Sequence, residues 1–347
     1  MPPQTRIRRA GIEDAGTIAR MVAALAEAEG GPAPHFDAPT YRRDGFGPKR
    51  HFEVLLAEIG GRPAGYALFH PSYDTDRVVR AAYLGDLYVE AWARGGGLGR
   101  LLAASVARLA AASGDATMHW TVLRRNAAAR RFYARFARED ESLLHCFADA
   151  PALARLAAAS PLSAASIRPA KAEDAPLLAD FLARLMAALG EEAPAAPAAE
   201  TVRRLADHGF GADPRFQALI AEAEAGSPAA GSAVGHTVGP QVGYALFWPI
   251  YDTDTGGPLM FLSDLFVEEE WRGRGLAPDL MAAVAGRAMA AGHKGMVWEV
   301  MRRNARARAF YRRLAEESDE AIVVNCAGDD FLRLAAEGLA IEAAPSI

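Results

Sequence analysis

Two short stretches hold residues whose types and spacing could do chemistry: RGGGLGRLL from Arg94 to Leu102 and RGRGLAPDL from Arg272 to Leu280. Each follows a β-rich run and opens an Ala- and Leu-rich one, so each reads as a glycine turn at a helix start. Free helix amides and the helix dipole converge there, and glycine lets a phosphate approach the backbone, a geometry that suits a pyrophosphate. The same turn also serves as an ordinary strand-to-helix connection, so it does not stand alone. Neither stretch is a GxxxxGK[ST] loop, and Arg100 and Pro278 stand where a dinucleotide fingerprint has its last glycine. The two loops differ in one donor, because Pro278 has no amide. A hydrogen bond to a charged group contributes roughly 1.5–3 kcal/mol, so the first loop is expected to be the better anion site.

Other candidates recur with the loops. YDTD occurs at Tyr73 to Asp76 and again at Tyr251 to Asp254. Asp74, Asp76, Asp252 and Asp254 could draw in a cationic amine, although Asp and Thr are also ordinary turn-formers. Asn126 and Asn304 each precede a Phe-Tyr pair, Phe132 with Tyr133 and Phe310 with Tyr311. The last helix of each copy is rich in arginine, from Arg124 to Arg135 and from Arg302 to Arg313. Three readings are open for these: a phosphate-binding face, a nucleic-acid face, or a solvated helix surface. Histidines such as His119 and His293 have no ligand spacing, so no metal site is expected.

The positioning elements follow from an internal repeat. YLGDLYVEAWARGGGLGRLL from Tyr83 is echoed by FLSDLFVEEEWRGRGLAPDL from Phe261, a displacement of 178 residues that also relates GYALFHPSYDTD to GYALFWPIYDTD. Near the starts of the copies the displacement is 160, and the difference is taken up partly by the Gly- and Ser-rich insertion GSPAAGSAVGHTVGP (226–240). The copies are placed at residues 1–150 and 167–347, with 151–166 as a linker. Each reads as strand, two helices, three strands, helix, strand, helix, strand, which makes an α/β unit with a mixed sheet. The sharpest spans are helices over Ile12 to Ala28 and Leu98 to Ala112, a hairpin of Phe52 to Ala57 with Gly65 to Phe69, and strands Tyr83 to Val89 and His119 to Leu123.

Length, composition and charge narrow the class. A chain of 347 residues suits two domains, and 51% hydrophobic with 23% charged residues is a globular composition without a membrane-spanning run. The net charge of −5 argues against nucleic acid as the main partner. Cys146 and Cys326 form no CxxC motif, the N-terminal segment has no apolar signal run, and a cytoplasmic protein is expected. Both cysteines read as strand packing.

The order YLGDLYV, RGGGLG, helix, HWTVL, then Asn126 and Phe132-Tyr133 resembles the GCN5-related N-acetyltransferase (GNAT) family, and within it the diamine (spermidine/spermine-like) acetyltransferases. The resemblance covers most of both copies and implies two tandem acyl-CoA N-acyltransferase (GNAT) domains, α/β in class, each a mixed central sheet flanked by helices. It implies acetyl-CoA as acyl donor, with the pyrophosphate on Arg94, Gly95, Gly97, Gly99 and Arg100, and in the second copy on Arg272, Gly273, Gly275 and Ala277. The pantetheine arm would pair against Leu87, Tyr88 and Val89, or Leu265, Phe266 and Val267, and reach Asn126 or Asn304. Tyr133 and Tyr311 fall on the family's proton donor to the departing thiolate. Acyl transfer to an amine needs a neutral nitrogen, oxyanion stabilisation and a proton for sulfur, and a tyrosine supplies the last. Gly85 and Ser263 stand where diamine acetyltransferases carry a glutamate, leaving Asp86 and Asp264 on the opposite strand face. Two function classes are carried forward: an N-acetyltransferase of a small primary amine, polyamine-like or amino-acid-like, and a CoA-binding sensor or scaffold in which one or both halves have lost turnover. The repeat allows the halves to pack as a pseudo-dimer.

Overall fold

The computed structural model describes residues 4–192, 194–223 and 239–341. The first copy runs β1 (Thr5–Arg9), α1 (Ala15–Glu29), α2 (Ala38–Phe46), β2 (Glu53–Ile59), β3 (Arg62–Asp74), β4 (Val79–Val89), α3 (Leu98–Ala112), β5 (Thr117–Leu123), α4 (Ala127–Tyr133), β6 (Arg138–Asp140), β7 (Leu143–Ala148) and α5 (Ala150–Ala157). The second repeats it as β8 (Ser166–Pro169), α6 (Ala175–Leu189), α7 (Ala198–Phe210), β9 (Gln217–Glu222), β10 (Gln241–Asp252), β11 (Gly257–Val267), α8 (Leu276–Ala290), β12 (Met296–Met301), α9 (Ala305–Tyr311), β13 (Glu316–Ser318), β14 (Ala321–Ala327) and α10 (Gly328–Glu337). Helix α3 has the bounds expected from sequence. The span expected as one helix from Ile12 begins as a 3₁₀ turn, Ile12–Asp14, before α1. Most of the Gly- and Ser-rich insertion lies outside the described residues.

The two sheets have seven strands each, in the orders β1-β2-β3-β4-β5-β14-β6 and β13-β7-β12-β11-β10-β9-β8. Sheet membership therefore departs from chain order: each copy's last long strand completes the other copy's sheet. The exchange is reciprocal to the residue. His145 of β7 pairs with Glu299 of β12, and Val323 of β14 pairs with Thr121 of β5, positions related by the displacement of 178. The helices that follow cross with them. Phe331 and Leu334 of α10 share the first core with Leu102, Met118 and Trp120, while Leu153 and Leu156 of α5 share the second with Leu280 and Trp298. Cys146 and Cys326 are free, buried thiols in the exchanged strands, packed as expected.

One further feature of the sheet prepares the site. Strands β4 and β5 run parallel but pair only over Ala81–Tyr83 with Thr117–His119. Beyond Tyr83 the pairing stops, so the backbone of Leu84 to Val89 has a partner in β3 but an unpaired edge toward β5. The same short pairing, Met260–Leu262 with Met296–Trp298, recurs in the second sheet.

Candidate functional site

The glycine loops lie where β4 and β11 give way to α3 and α8. Gly95 and Gly97 have φ of 86° and 83°, and Gly273 and Gly275 have 77° and 87°, a left-handed region that L side chains avoid. Gly97 caps α3, and the first intrahelical bond runs from the Leu101 amide to the Gly97 carbonyl, 3.0 Å. The amides of Leu98, Gly99 and Arg100 thus have no helical partner. Nothing lies within 4 Å of where a Cβ would stand at Gly95, Gly96 or Gly97, so an anion can reach them. In the second loop Gly275 caps α8 and Asp279 makes the first helical bond. Pro278 leaves only the Leu276 and Ala277 amides there.

The arginines of these loops are partly committed. Arg94 Nε donates to the Val89 carbonyl at 2.9 Å, and Arg272 Nε to Val267 at 3.0 Å, pinning each loop to its strand end. Arg100 pairs through Nε and Nη2 with Glu337 of α10, at 2.6 and 2.7 Å. What Arg100 offers an anion is its amide.

Across the splayed strands stand the asparagines and tyrosines. Asn126 caps α4, its side chain accepting from the Ala129 amide at 3.0 Å, and Asn304 caps α9 through Ala307 at 3.1 Å. Tyr133 is buried with its ring 4.9 Å from Trp120. Burial first, then Glu29 and Asp86, push its hydroxyl pKa well up. Tyr311 is matched by Trp298 at 5.4 Å and lines a cavity of about 320 Å³.

The repeated YDTD segments do not serve their own copy. Tyr251 reaches the first half, where its hydroxyl donates to Asp44 Oδ2 at 2.7 Å and its ring packs 4.6 Å from Phe52. Thr253 then donates to Asp86 Oδ1 at 3.1 Å, while Tyr66 donates to Asp86 Oδ2 at 2.8 Å. In mirror fashion Tyr73 packs against Phe216 and Trp248. Thr75 lies 3.1 Å from the Ser263 hydroxyl, which donates to Asp264, and Tyr244 donates to the other Asp264 oxygen at 2.8 Å. The surroundings of Asp86 and of Asp264 are therefore each built from both halves.

Within YDTD the aspartates divide between the two readings open from sequence. Asp74 and Asp252 are turn-formers, accepting from the Arg77 and Thr255 amides at 2.9 and 2.8 Å. Asp76 and Asp254 face the other half's site. Desolvation by the surrounding protein, then Asp74 and Asp264, push the Asp76 carboxyl up to about 6, and desolvation with Asp252 raises Asp254. Glu29, at the end of α1, is also raised by desolvation and by Asp254, with Asn126 acting in the opposite direction.

Asp86 is 8% exposed, and burial pushes its carboxyl up to about 7 against the hydrogen bonds from Tyr66 and Thr253. An unfolded aspartate titrates near ~3.9. Between about pH 4 and 7 the native state therefore holds more proton at this group than the unfolded chain does, and its contribution to stability falls as pH rises through that window. Asp86→Asn should consequently change Tm more favourably at pH 8 than at pH 5, relative to the parent. Thermal melts at the two pH values check this, and an equal change at both would remove Asp86 from the pH response.

Sequence reasoning missed Glu29, the crossing of the YDTD segments and the pair His145–Glu299, whose Nδ1 and Oε1 are 3.6 Å apart in the cavity that Tyr311 lines. The identity of YDTD in both copies was the one available signal for the crossing. Of the arginine readings, ion pairing at the surface accounts for many: Arg130 bonds Glu139 and Glu141, Arg124 bonds Glu141, and Arg308 and Arg312 bond Glu317. Among the described residues no group of three or more His, Cys, Asp or Glu could hold a metal ion, and no helix is long and apolar enough to cross a membrane.

The model of the Acetyltransferase (GNAT) family matches residues 19–137 and 199–315. A thialysine N-epsilon-acetyltransferase of Mus musculus is 36% identical over 140 residues, which are 37% of this chain and 81% of that protein. One of Bos taurus is 33% identical over 153 residues, 41% of this chain and 89% of that protein. Among solved structures, a GCN5-related N-acetyltransferase from Sphaerobacter thermophilus is 20% identical with a TM-score of 0.50, covering 94% of this chain and 96% of that one.

Proposed function

Because this chain belongs to the Acetyltransferase (GNAT) family, we propose that its first half transfers an acetyl group from acetyl-CoA to a primary amine of a small, cationic molecule. The enzyme is an acyltransferase; the acceptor class rests on the carboxylates and on the thialysine acetyltransferases among its relatives. The fit of acetyl-CoA rests on three free amides at Leu98 to Arg100, open glycines at Gly95 to Gly97, and the unpaired β4 edge at Leu87 to Val89. When bound, acetyl-CoA supplies the thioester. The residues of the chain do the rest.

Glu29, Asp86 and, from the other half, Asp254 hold the ammonium group and accept its first proton, which makes the nitrogen nucleophilic. Asp86 is suited to this because a carboxyl titrating at about 7 exchanges protons near neutrality. The amine lone pair forms the bond to the acyl carbon, and the carbon–sulfur pair leaves with sulfur. The Tyr133 hydroxyl gives that sulfur its proton. The second proton lost by nitrogen restores Tyr133, and the carboxylate cluster releases the first to solvent, so one amide, one thiol and one proton result. The single observation that carries the reading is the open first loop on one side of the β4–β5 splay, with Tyr133 and this two-half carboxylate cluster on the other.

A panel of amines assayed for CoA thiol release tests it. Thialysine, lysine, 1,3-diaminopropane and spermidine should outpace acidic or neutral amines by at least about tenfold in kcat/KM, roughly 1.4 kcal/mol of charge recognition. Acetyl-CoA binding without thiol release over the whole panel would replace this reading with the CoA-binding sensor.

A further inference from the structure

The second phosphate loop is closed by the chain itself. The segment between the copies passes over the start of α8, where Asp279 Oδ1 accepts from the Leu162 amide at 2.8 Å and Oδ2 accepts from the Ser163 amide and hydroxyl at 2.8 and 2.5 Å. Leu162 lies so near the loop that a Cβ at Gly275 would stand 2.4 Å from the Leu162 Cβ and 2.9 Å from its carbonyl carbon. In the first loop the matching glycine, Gly97, has nothing within 4 Å, and Leu101 stands where Asp279 does. A buried carboxylate at the helix start, a proline in place of an amide and the linker in front of Gly275 all oppose an incoming pyrophosphate. Like charges repel there, and the space is taken.

The second half has nonetheless kept a cavity and changed its lining. Glu299 and His145 face each other across β12 and β7; their counterparts in the repeat, Thr121 and Val323, line the same cavity, which both halves build and which Asn304 and Tyr311 of the second half also line. The Glu299 side chain is 24% exposed and, as a described residue, has no hydrogen bond within the protein; its neighbour His145 keeps an unpartnered Nε2. Asp76 of the first copy and Asp140 lie in the same lining. Burial lowers the pKa of both His145 and His119, which keeps these imidazoles neutral, and Arg77 is spent on Asp74 at 2.8 Å. Burial pushes the Glu299 carboxyl up to about 8 and the Asp76 carboxyl up to about 6, so Glu299 rests largely protonated near neutrality and an entering ammonium group favours its ionised form; neither carboxyl has a protein counterion, between walls of Tyr83, Phe261 and Trp248. The Trp248 side chain is 3% exposed and its indole N–H has no partner.

We propose that the second half is a binding half: the linker closes its phosphate loop, and its cavity holds an organic ammonium compound through Glu299 and Asp76 without acetylating it. The role of Tyr311 is then to wall this cavity. The assignment of turnover to the first half rests on the function proposed above; the two occupancies do not.

Calorimetry on the full chain tests it, with acetyl-CoA and thialysine as probes. One equivalent of acetyl-CoA should bind the parent. Gly96→Asp, which puts a carboxylate into the open first loop at a surface position, should abolish both that binding and all thiol release, yet leave thialysine binding in place. Adding Glu299→Lys to Gly96→Asp should remove one equivalent of bound thialysine. Replacing Asp279 by Leu together with Leu162→Gly and Ser163→Gly should admit a second acetyl-CoA. Two equivalents in the parent, residual turnover in Gly96→Asp, thialysine binding indifferent to Glu299→Lys, or no second equivalent in the opened linker variant would each overturn the proposal. A parent that binds one acetyl-CoA but acetylates no amine would instead remove the proposed function and leave the closed second loop standing.

Discussion

Tyr133→Phe should lower kcat by about two to three orders of magnitude, the range of a lost general acid, while acetyl-CoA affinity stays within about twofold. The reason is the separation of the ring from its hydroxyl. The ring packs among Trp120, Phe132 and Phe136, at centroid distances of 4.9, 5.1 and 6.0 Å, and phenylalanine keeps all of that. In the proposed mechanism the hydroxyl alone serves the reacting centre. Desolvation, with Glu29 and Asp86 nearby, raises its pKa, so it stays protonated throughout the working range and adds no basic limb of its own to the rate profile. Its removal leaves the departing sulfur without a donor in a place that water reaches poorly. Steady-state kinetics with thialysine beside calorimetry with acetyl-CoA separate the two effects. An unchanged kcat would make Tyr133 a core aromatic and no more. A fall in kcat matched by lost cofactor affinity would assign it to binding.

Much of this arrangement was legible because it is local. A glycine turn before an Ala- and Leu-rich run fixes a helix start, and α3 has the bounds read from its pattern. Asn126 and Asn304 cap their helices as their positions suggested. What the pattern could not reveal is partnership. The alternation of LLHCFA is satisfied equally by either sheet, since β5 and β12 offer the same register, so the exchange of β7 and β14 leaves no mark in sequence. The YDTD residues were visible as carboxylates on a turn, but their target depends on how two copies pack. Glu29 stands just past the helix read over Ile12 to Ala28, and nothing in the local pattern marks Glu299. Each became part of a site only when another element closed over it. The stretch Pro151 to Ser166, read as a linker, is helical in its first part, where α5 packs Leu153 and Leu156 into the second core, and its hold on Asp279 is a contact across more than a hundred positions.

The strand exchange sets the second large expectation: neither half should fold as a monomer by itself. Residues 1–158 alone would lack β14 and α10, which bring Ile322, Val324, Phe331 and Leu334 into the first core, each at most 1% exposed. Full burial of such side chains contributes about 1.5–3 kcal/mol each, or roughly 6–12 kcal/mol together. Typical domain stabilities are about 5–15 kcal/mol, so the loss is of the size of the whole. The isolated half has a replacement for the missing strand in its own β7. In the intact chain His145 pairs with Glu299 and Cys146 with Trp298. The same register on a second copy of the first half would set His145 against Thr121 and Cys146 against Trp120, with α5 covering α3 as it now covers α8. The expected product is thus a homodimer with exchanged β7 strands, seen by light scattering at twice the mass of the fragment. By the same logic, cutting the full chain at a protease site placed at Ser160 should leave both halves in one particle, held by two exchanged strand–helix units rather than by the covalent link. A well-folded monomer of residues 1–158, or separation of the halves on cleavage under native conditions, would show that the exchange does not hold the molecule together. Because Asp86 takes a hydrogen bond from Thr253 of the second copy's YDTD, and Thr75 of the first copy's YDTD meets Ser263 beside Asp264, the homodimer would present two acceptor sides of first-half type, each with Asp76 in place of Asp254. Such a dimer should then bind one acetyl-CoA per fragment through its open loops.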